Sequence, residues 1–146
     1  LSGLGAPYWN PDAQGAIIGL TRYTKKGHIA RAALEAIAIR SSEIFIEMQK
    51  DAKIKFSKLK VDGGASNNDL LMQIQSNLLE TIVVRPKITE TTALGIAFLS
   101  GLGSGFWKSI DNLKSIWIAQ KEFQPEPNFD GRKIIENWKL RISNLN

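Results

Sequence analysis

The stretch Leu59-Lys60-Val61-Asp62-Gly63-Gly64-Ala65-Ser66-Asn67-Asn68 restricts the architecture of this chain more than any other. Lys58 to Asp62 alternates as a strand does and stops at two glycines. Ser66 then opens a helix, with Asp69 three residues on as the second half of an S-x-x-D capping box and Leu70, Leu71, Ile74 and Leu78 as its apolar stripe. Strand, tight glycine turn and helix N-terminus follow one another within a dozen residues.

The same alternation extends along the chain. Residues 1–14 carry Gly3, Gly5, Pro7, Asn10, Pro11 and Asp12 around Tyr8 and Trp9 and read as an ordered loop. Gly15 to Thr21 is short, β-branched and glycine-bounded, which predicts a strand. A long helix is predicted from an N-cap at Thr24 to about Lys50, burying Ile29, Ala33, Ala36, Ile37, Ile44 and Met48. Thr81 to Arg85 is a further strand closed by Pro86. A third helix starts at Thr89 or Glu90, and its small residues Gly95, Ala97 and Gly101 predict close approach to a neighbour. A short helix over 109–118, an extended stretch over 122–129 and an amphipathic helix over 131–142 complete the reading. The fold class is α/β, with helices on the faces of a mixed sheet whose order the sequence leaves open.

Composition sets the limits on chemistry. The 146 residues, 43% hydrophobic, suffice for one domain that buries roughly two-thirds of its unfolded surface. Zero cysteines exclude thiolate metal sites, thiol nucleophiles and disulfides, and the single histidine, His28, excludes His-rich metal sites. No apolar run approaches the ~20 residues of a membrane span, and no charged-then-apolar leader is present, so a soluble cytoplasmic protein is expected. Nineteen basic against fourteen acidic residues gives +5. The densest basic stretch, Lys50, Lys53, Lys55, Lys58 and Lys60, reads as a solvated face without the aromatic pattern of a nucleic-acid groove. The opening at Leu1, without an initiator methionine, suggests a piece of a longer protein whose site lies partly elsewhere.

Two readings fit the glycine pair. Glycines at the carboxyl end of a strand, followed by a helix N-terminus, let a ligand approach the backbone without a Cβ in the way, a nucleotide being the natural candidate; an ordinary strand-to-helix turn needs glycines too. Asn68 carries an amide that both donates and accepts, which suits an adenine edge. Neither a P-loop nor a G-x-G-x-x-G fingerprint is present, and Gly101 to Gly105 reads as a helix stop. Asp62 fits a turn-stabilising carboxylate that accepts backbone N–H bonds better than a catalytic base or metal ligand. His28 reads as a capping or packing residue, Tyr8 and Trp9 as a loop packed on its own domain, and Glu35 and Glu43 as surface charges.

Gly15-Ala16-Ile17-Ile18-Gly19-Leu20, then seven residues, then His28 to Glu35, resembles the second signature of the FGGY carbohydrate kinases, the family that phosphorylates glycerol, xylulose and gluconate. Ser2 to Pro11, Val61 to Ala65 with Leu71 to Gln73, and Thr92 to Gly95 with Gly105 to Trp107 are similar to its glycerol-phosphorylating branch. The resemblance covers Leu1 to about Trp107 closely and the remainder loosely. It implies a ribonuclease H-like (actin-like ATPase) fold, with residues 1–146 the C-terminal, ATP-side part of the second kinase domain. It also implies transfer of the ATP γ-phosphate to glycerol, giving sn-glycerol 3-phosphate and ADP, and assigns nucleotide binding to Gly63, Gly64, Ala65 and Asn68. No catalytic residue and no metal ligand is implied within the chain. The proton acceptor, the magnesium ligands and the main glycerol contacts are expected upstream, leaving this segment inactive alone. The full-length enzyme is expected to be a homo-oligomer that binds neither nucleic acid nor membrane. The alternatives are a kinase for another polyol or sugar, or a non-catalytic nucleotide module of the actin and Hsp70 type.

Overall fold

The computed structural model describes residues 3–143; Leu1 and Ser2 of the Ser2–Pro11 segment lie outside the described residues. Five helices and three strands follow in the order α1 (Lys26–Ala52), β1 (Lys58–Lys60), a 3₁₀ turn (Gly64–Asn67), α2 (Asp69–Leu79), β2 (Ile82–Pro86), α3 (Thr91–Gly103), α4 (Ile110–Lys114), β3 (Ala119–Phe123) and α5 (Gly131–Ser143). The sheet order is β1-β2-β3. β1 and β2 are parallel, with Leu59 opposite Val83, so β1, α2 and β2 form a βαβ unit, while β3 runs antiparallel to β2 with Phe123 opposite Val83.

Burial follows from β2 being the central strand. Val83 and Val84 are buried, and Val83 joins Ala38 and Ile39 of α1, Leu71, Met72, Ile74 and Leu78 of α2, Phe123 of β3 and Ile135 of α5 in one core. Inside, Ser76 Oγ lies within hydrogen-bond distance of the carbonyls of Thr81 and Phe123, at 2.9 and 2.8 Å, and its one proton is shared between them, linking α2 to the start of β2 and to β3.

Several expectations are corrected. Residues 15–21 are not a strand: they are exposed, lack ladder bonds among the described residues, and turn at Gly19 with φ +76°. A strand requires a partner, and none of the described residues pairs with this segment. The long helix forms but buries a different face. Ala38, Ile39, Ser42, Glu43 and Phe45 point inward, whereas Ile29, Ile37, Ile44 and Met48 are exposed. Apolar residues occupy both sides of α1, and contact with α2 and α5 selects one. Its N-cap is Lys25 instead of Thr24; His28 Nδ1 accepts the Lys25 N–H, which gives His28 the capping role read from the sequence. Thr24 Oγ1 instead accepts the Thr21 N–H. α3 has no buried residue, and the predicted close approach to a neighbouring helix is not present among the described residues, where Gly101 lies close to the indole of Trp107. β3 begins before the predicted extended stretch, its outward polar residues having hidden an edge strand.

The N-terminal loop is latched onto α1. The Tyr8 hydroxyl donates to Glu43 Oε1, Arg40 Nη1 donates to Glu43 Oε2 at 2.6 Å, and Arg40 Nη2 reaches the Ala6 carbonyl at 2.9 Å. Glu43 is only 2% exposed, so it is an internal anchor and not the surface charge its helical position suggested. Tyr8 packs as expected, while Trp9 is exposed. Burial, and next the bond to the Glu43 carboxylate, push the Tyr8 phenol up to about 12. The folded state therefore favours neutral Tyr8: this stabilisation is complete below pH 10 and is lost as pH rises through about 12. In a Tyr23→Phe variant, which leaves Tyr8 as the only tyrosine, ultraviolet titration should give a phenolate midpoint near 12. A midpoint near 10 would show that the latch is absent.

Candidate nucleotide-binding site

β1 ends three residues before the glycine pair. Gly63 takes φ +75°, a backbone region that side chains with a Cβ rarely adopt, and its N–H donates to the Thr89 carbonyl at 2.8 Å. Gly64 opens the 3₁₀ turn, which Ser66 closes by bonding the Gly63 carbonyl through both its N–H and its hydroxyl, at 3.1 and 2.7 Å. A Cβ built on Gly64 would meet no atom of the chain within 4 Å. Packing among the described residues therefore does not demand glycine at 64.

Helix α2 does not start at Ser66. Asn68 is its N-cap, and Oδ1 accepts the Leu71 N–H at 3.0 Å. The intervening 3₁₀ turn consumes Ser66, and Asp69 turns away to basic partners, so the capping box read from the sequence does not form. This bond identifies the amide orientation, because only the oxygen can accept from a backbone N–H. With its oxygen committed to the cap, Asn68 offers a ligand chiefly its two amide hydrogens. Gly64, Ala65 and Asn68 are all exposed along one turn, and Ser66 is buried beneath them. The four residues singled out in the sequence thus lie together at one strand-to-helix junction.

Asp62 sits at the edge of this junction and accepts a hydrogen bond from the Thr91 hydroxyl at the start of α3, not from the turn's own N–H groups. Two contributors were not anticipated. Arg85 Nη1 donates to the Ser66 carbonyl at 2.9 Å and to Asp69 Oδ1 at 2.7 Å, and Lys121 Nζ holds Asp69 Oδ2 at 2.6 Å. The hydrogen bonds from Lys121 and then Arg85 hold the Asp69 carboxyl below the usual aspartate range. The lone arginine ending the apolar run Ile82-Val83-Val84 was the signal available in the sequence.

Elsewhere the basic stretch is a solvated face: Lys58 pairs with Glu122 at 2.6 Å and Lys60 lies over the Trp117 ring at 3.8 Å. Among the described residues no three carboxylate or imidazole groups converge. No helix among the described residues is long and apolar enough to cross a membrane.

The arrangement is a strand, a glycine turn and a helix at the carboxyl end of β1 in an α/β domain. Residues 1–103 match the model of the C-terminal domain of the FGGY family of carbohydrate kinases, and the chain belongs to that family. It is 51% identical over 142 residues to a glycerol kinase of Deinococcus radiodurans and 54% identical to one of Dechloromonas aromatica, each alignment covering 97% of this chain. It spans only 28% of the length of either relative. Among solved structures it is similar to Plasmodium falciparum glycerol kinase with ADP (TM-score 0.86, 34% identity, covering 99% of this chain and 29% of that one). A xylulose kinase from Lactobacillus acidophilus shares the fold at a TM-score of 0.80 and 24% identity. The actin-like ATPase fold expected from the sequence is the fold observed.

Proposed function

We propose that this chain forms the C-terminal part of an ATP-dependent glycerol kinase, which transfers the γ-phosphate of ATP to glycerol to give sn-glycerol 3-phosphate and ADP. Its own contribution is the adenosine side, through Gly63, Gly64, Ala65 and Asn68. The observation that carries this reading is Gly64: bare, exposed and facing no protein atom, at a helix start in a chain half identical to glycerol kinases. Gly63 sets the turn, Ala65 keeps bulk low, and the Asn68 amide donates to a ring nitrogen of the base. Phosphoryl transfer in such a site is a matter of positioning and charge stabilisation, so the adenosine wall acts by fixing the triphosphate's origin. The proton acceptor, magnesium ligands and glycerol contacts belong to the remaining part of such a kinase, which we place in the cytoplasm as a homo-oligomer. That part would also cover the exposed apolar residues Ile17, Ile18, Leu20, Ile96 and Leu99.

The test is a chimera in which this chain replaces the matching 28% of the Deinococcus radiodurans glycerol kinase. Glycerol-dependent ADP release by the chimera, and none by the isolated chain, is the expected result; a folded chimera without turnover would overturn the reading.

Asn68 has two duties, and two variants separate them. Asn68→Ser in the chimera keeps a capping oxygen but removes the amide donor, so thermal stability should hold while the KM for ATP rises about 2- to 12-fold, the worth of one neutral hydrogen bond. Asn68→Ala should lose about 1 kcal/mol of stability as well. Because N3 and N7 accept in both adenine and guanine, a contact to either should weaken ATP and GTP in parallel. An unchanged KM for ATP in Asn68→Ser would assign the residue to the fold alone.

A further inference from the structure

The geometry points to Arg85 as a positioning residue for the nucleotide turn, acting through the Ser66 carbonyl and Asp69 to fix where Gly64 and Asn68 stand; this rests on the nucleotide reading of that turn. Arg85 is 8% exposed and lies on β2, the strand paired on both edges. Its guanidinium is itself held: Nε donates to Gln120 Oε1 at 2.9 Å, and Cζ lies 5.5 Å from the centre of the Phe123 ring. From that fixed base Nη1 reaches Ser66 O, the carbonyl in the middle of the 3₁₀ turn, and Asp69 Oδ1, in the first turn of α2. Asn68 lies between these two attachment points in sequence. Asp69 is completed on its outer side by Lys121, opposite Arg85 on β3.

The turn's other hydrogen bonds are local: Ser66 bonds Gly63 O, the Asn68 N–H donates to Ala65 O at 3.1 Å, and Asn68 caps α2. The Arg85 bond adds a tie from the Ser66 carbonyl to β2. A planar guanidinium with five donors can hold a carbonyl and a carboxylate at once, which an ammonium point charge does less well. Since the hydrogen bonds from Lys121 and Arg85 keep Asp69 ionised below the usual aspartate range, the brace persists across neutral pH.

The experiment uses the chimeric kinase with Arg85→Met, Arg85→Lys and Asp69→Asn, and Gly64→Val as a reference. For Arg85→Met the KM for ATP should rise about fivefold or more, the fold-change equivalent of losing one charge-assisted bond at partial transmission, with the KM for glycerol within about twofold. Arg85→Lys should fall between this variant and the parent. Asp69→Asn, exposed and safe for folding, should raise the ATP KM in the same direction by about twofold. Should Arg85→Met fail to fold, Arg85→Lys and Asp69→Asn decide. Unchanged ATP KM in the folded Arg85 and Asp69 variants, with Gly64→Val strongly impaired, would overturn the brace and leave the nucleotide reading standing. Equal rises in both KM values would reduce Arg85 to a general structural role. If Gly64→Val is also unimpaired, the turn does not bind nucleotide and both proposals fall.

Discussion

Gly64→Val in the chimeric kinase is expected to fold normally and to bind ATP at least about tenfold more weakly, a difference of about 1.4 kcal/mol. The two halves of this expectation come from one observation. A Cβ at this position meets no protein atom within 4 Å, and Gly64 does not hold a positive φ, so the fold has no quarrel with a side chain there. Stability should stay within about 0.5 kcal/mol, as for other exposed substitutions. An ATP molecule placed against the turn would meet the branched side chain directly, and the loss should appear in nucleotide affinity with glycerol affinity nearly unchanged. Isothermal titration with ADP alongside thermal melting provides the check. Undiminished nucleotide affinity in the folded variant would make the glycine pair an ordinary turn. Gly63 is unsuitable for this test, because its φ of +75° strains any substituent and would mix stability with binding.

Gly131→Ala should destabilise the fold markedly. Gly131 starts α5 against the end of α2, and a Cβ there would stand 2.8 Å from Asn77 O and Leu78 Cα and 2.9 Å from Leu78 O. These are backbone atoms of a helix and cannot swing aside. Relief requires moving α5, whose Ile135 belongs to the core. Overpacking of this kind costs about 1–3 kcal/mol, and in a domain of this size each kcal/mol lowers Tm by roughly 2–4 °C. A Tm drop of about 2–12 °C is therefore expected from differential scanning calorimetry. A melting temperature equal to the parent's would mean that α5 docks less closely than described.

Local rules sufficed wherever a few neighbouring residues determine the outcome. Strand, glycine turn and helix at Lys58–Leu79, the strand closed by Pro86, the helix stop at Gly103 and the capping role of His28 were readable, because turn chemistry and periodicity act over a few residues. The residues of the candidate site lie within six positions of one another, so the turn that exposes Gly64, Ala65 and Asn68 is itself local, while their assignment to a nucleotide came from the family resemblance. What contact alone decides was not legible. Both faces of α1 are apolar, and only packing against α2 and α5 chose the side of Ala38 and Ile39 over that of Ile29 and Ile37. Residues 15–21 have strand composition, but a strand is a property of a pair. Glu43 became an internal anchor through Tyr8, 35 residues away, and Arg85 became the brace of the turn through Ser66 and Asp69, 19 and 16 residues away. The sequence by itself thus determined the local turn and the chemistry it presents. The tertiary structure decided which charges are buried and which distant side chains hold that turn in place, because those free energies depend on desolvation and on partners that sequence distance does not reveal.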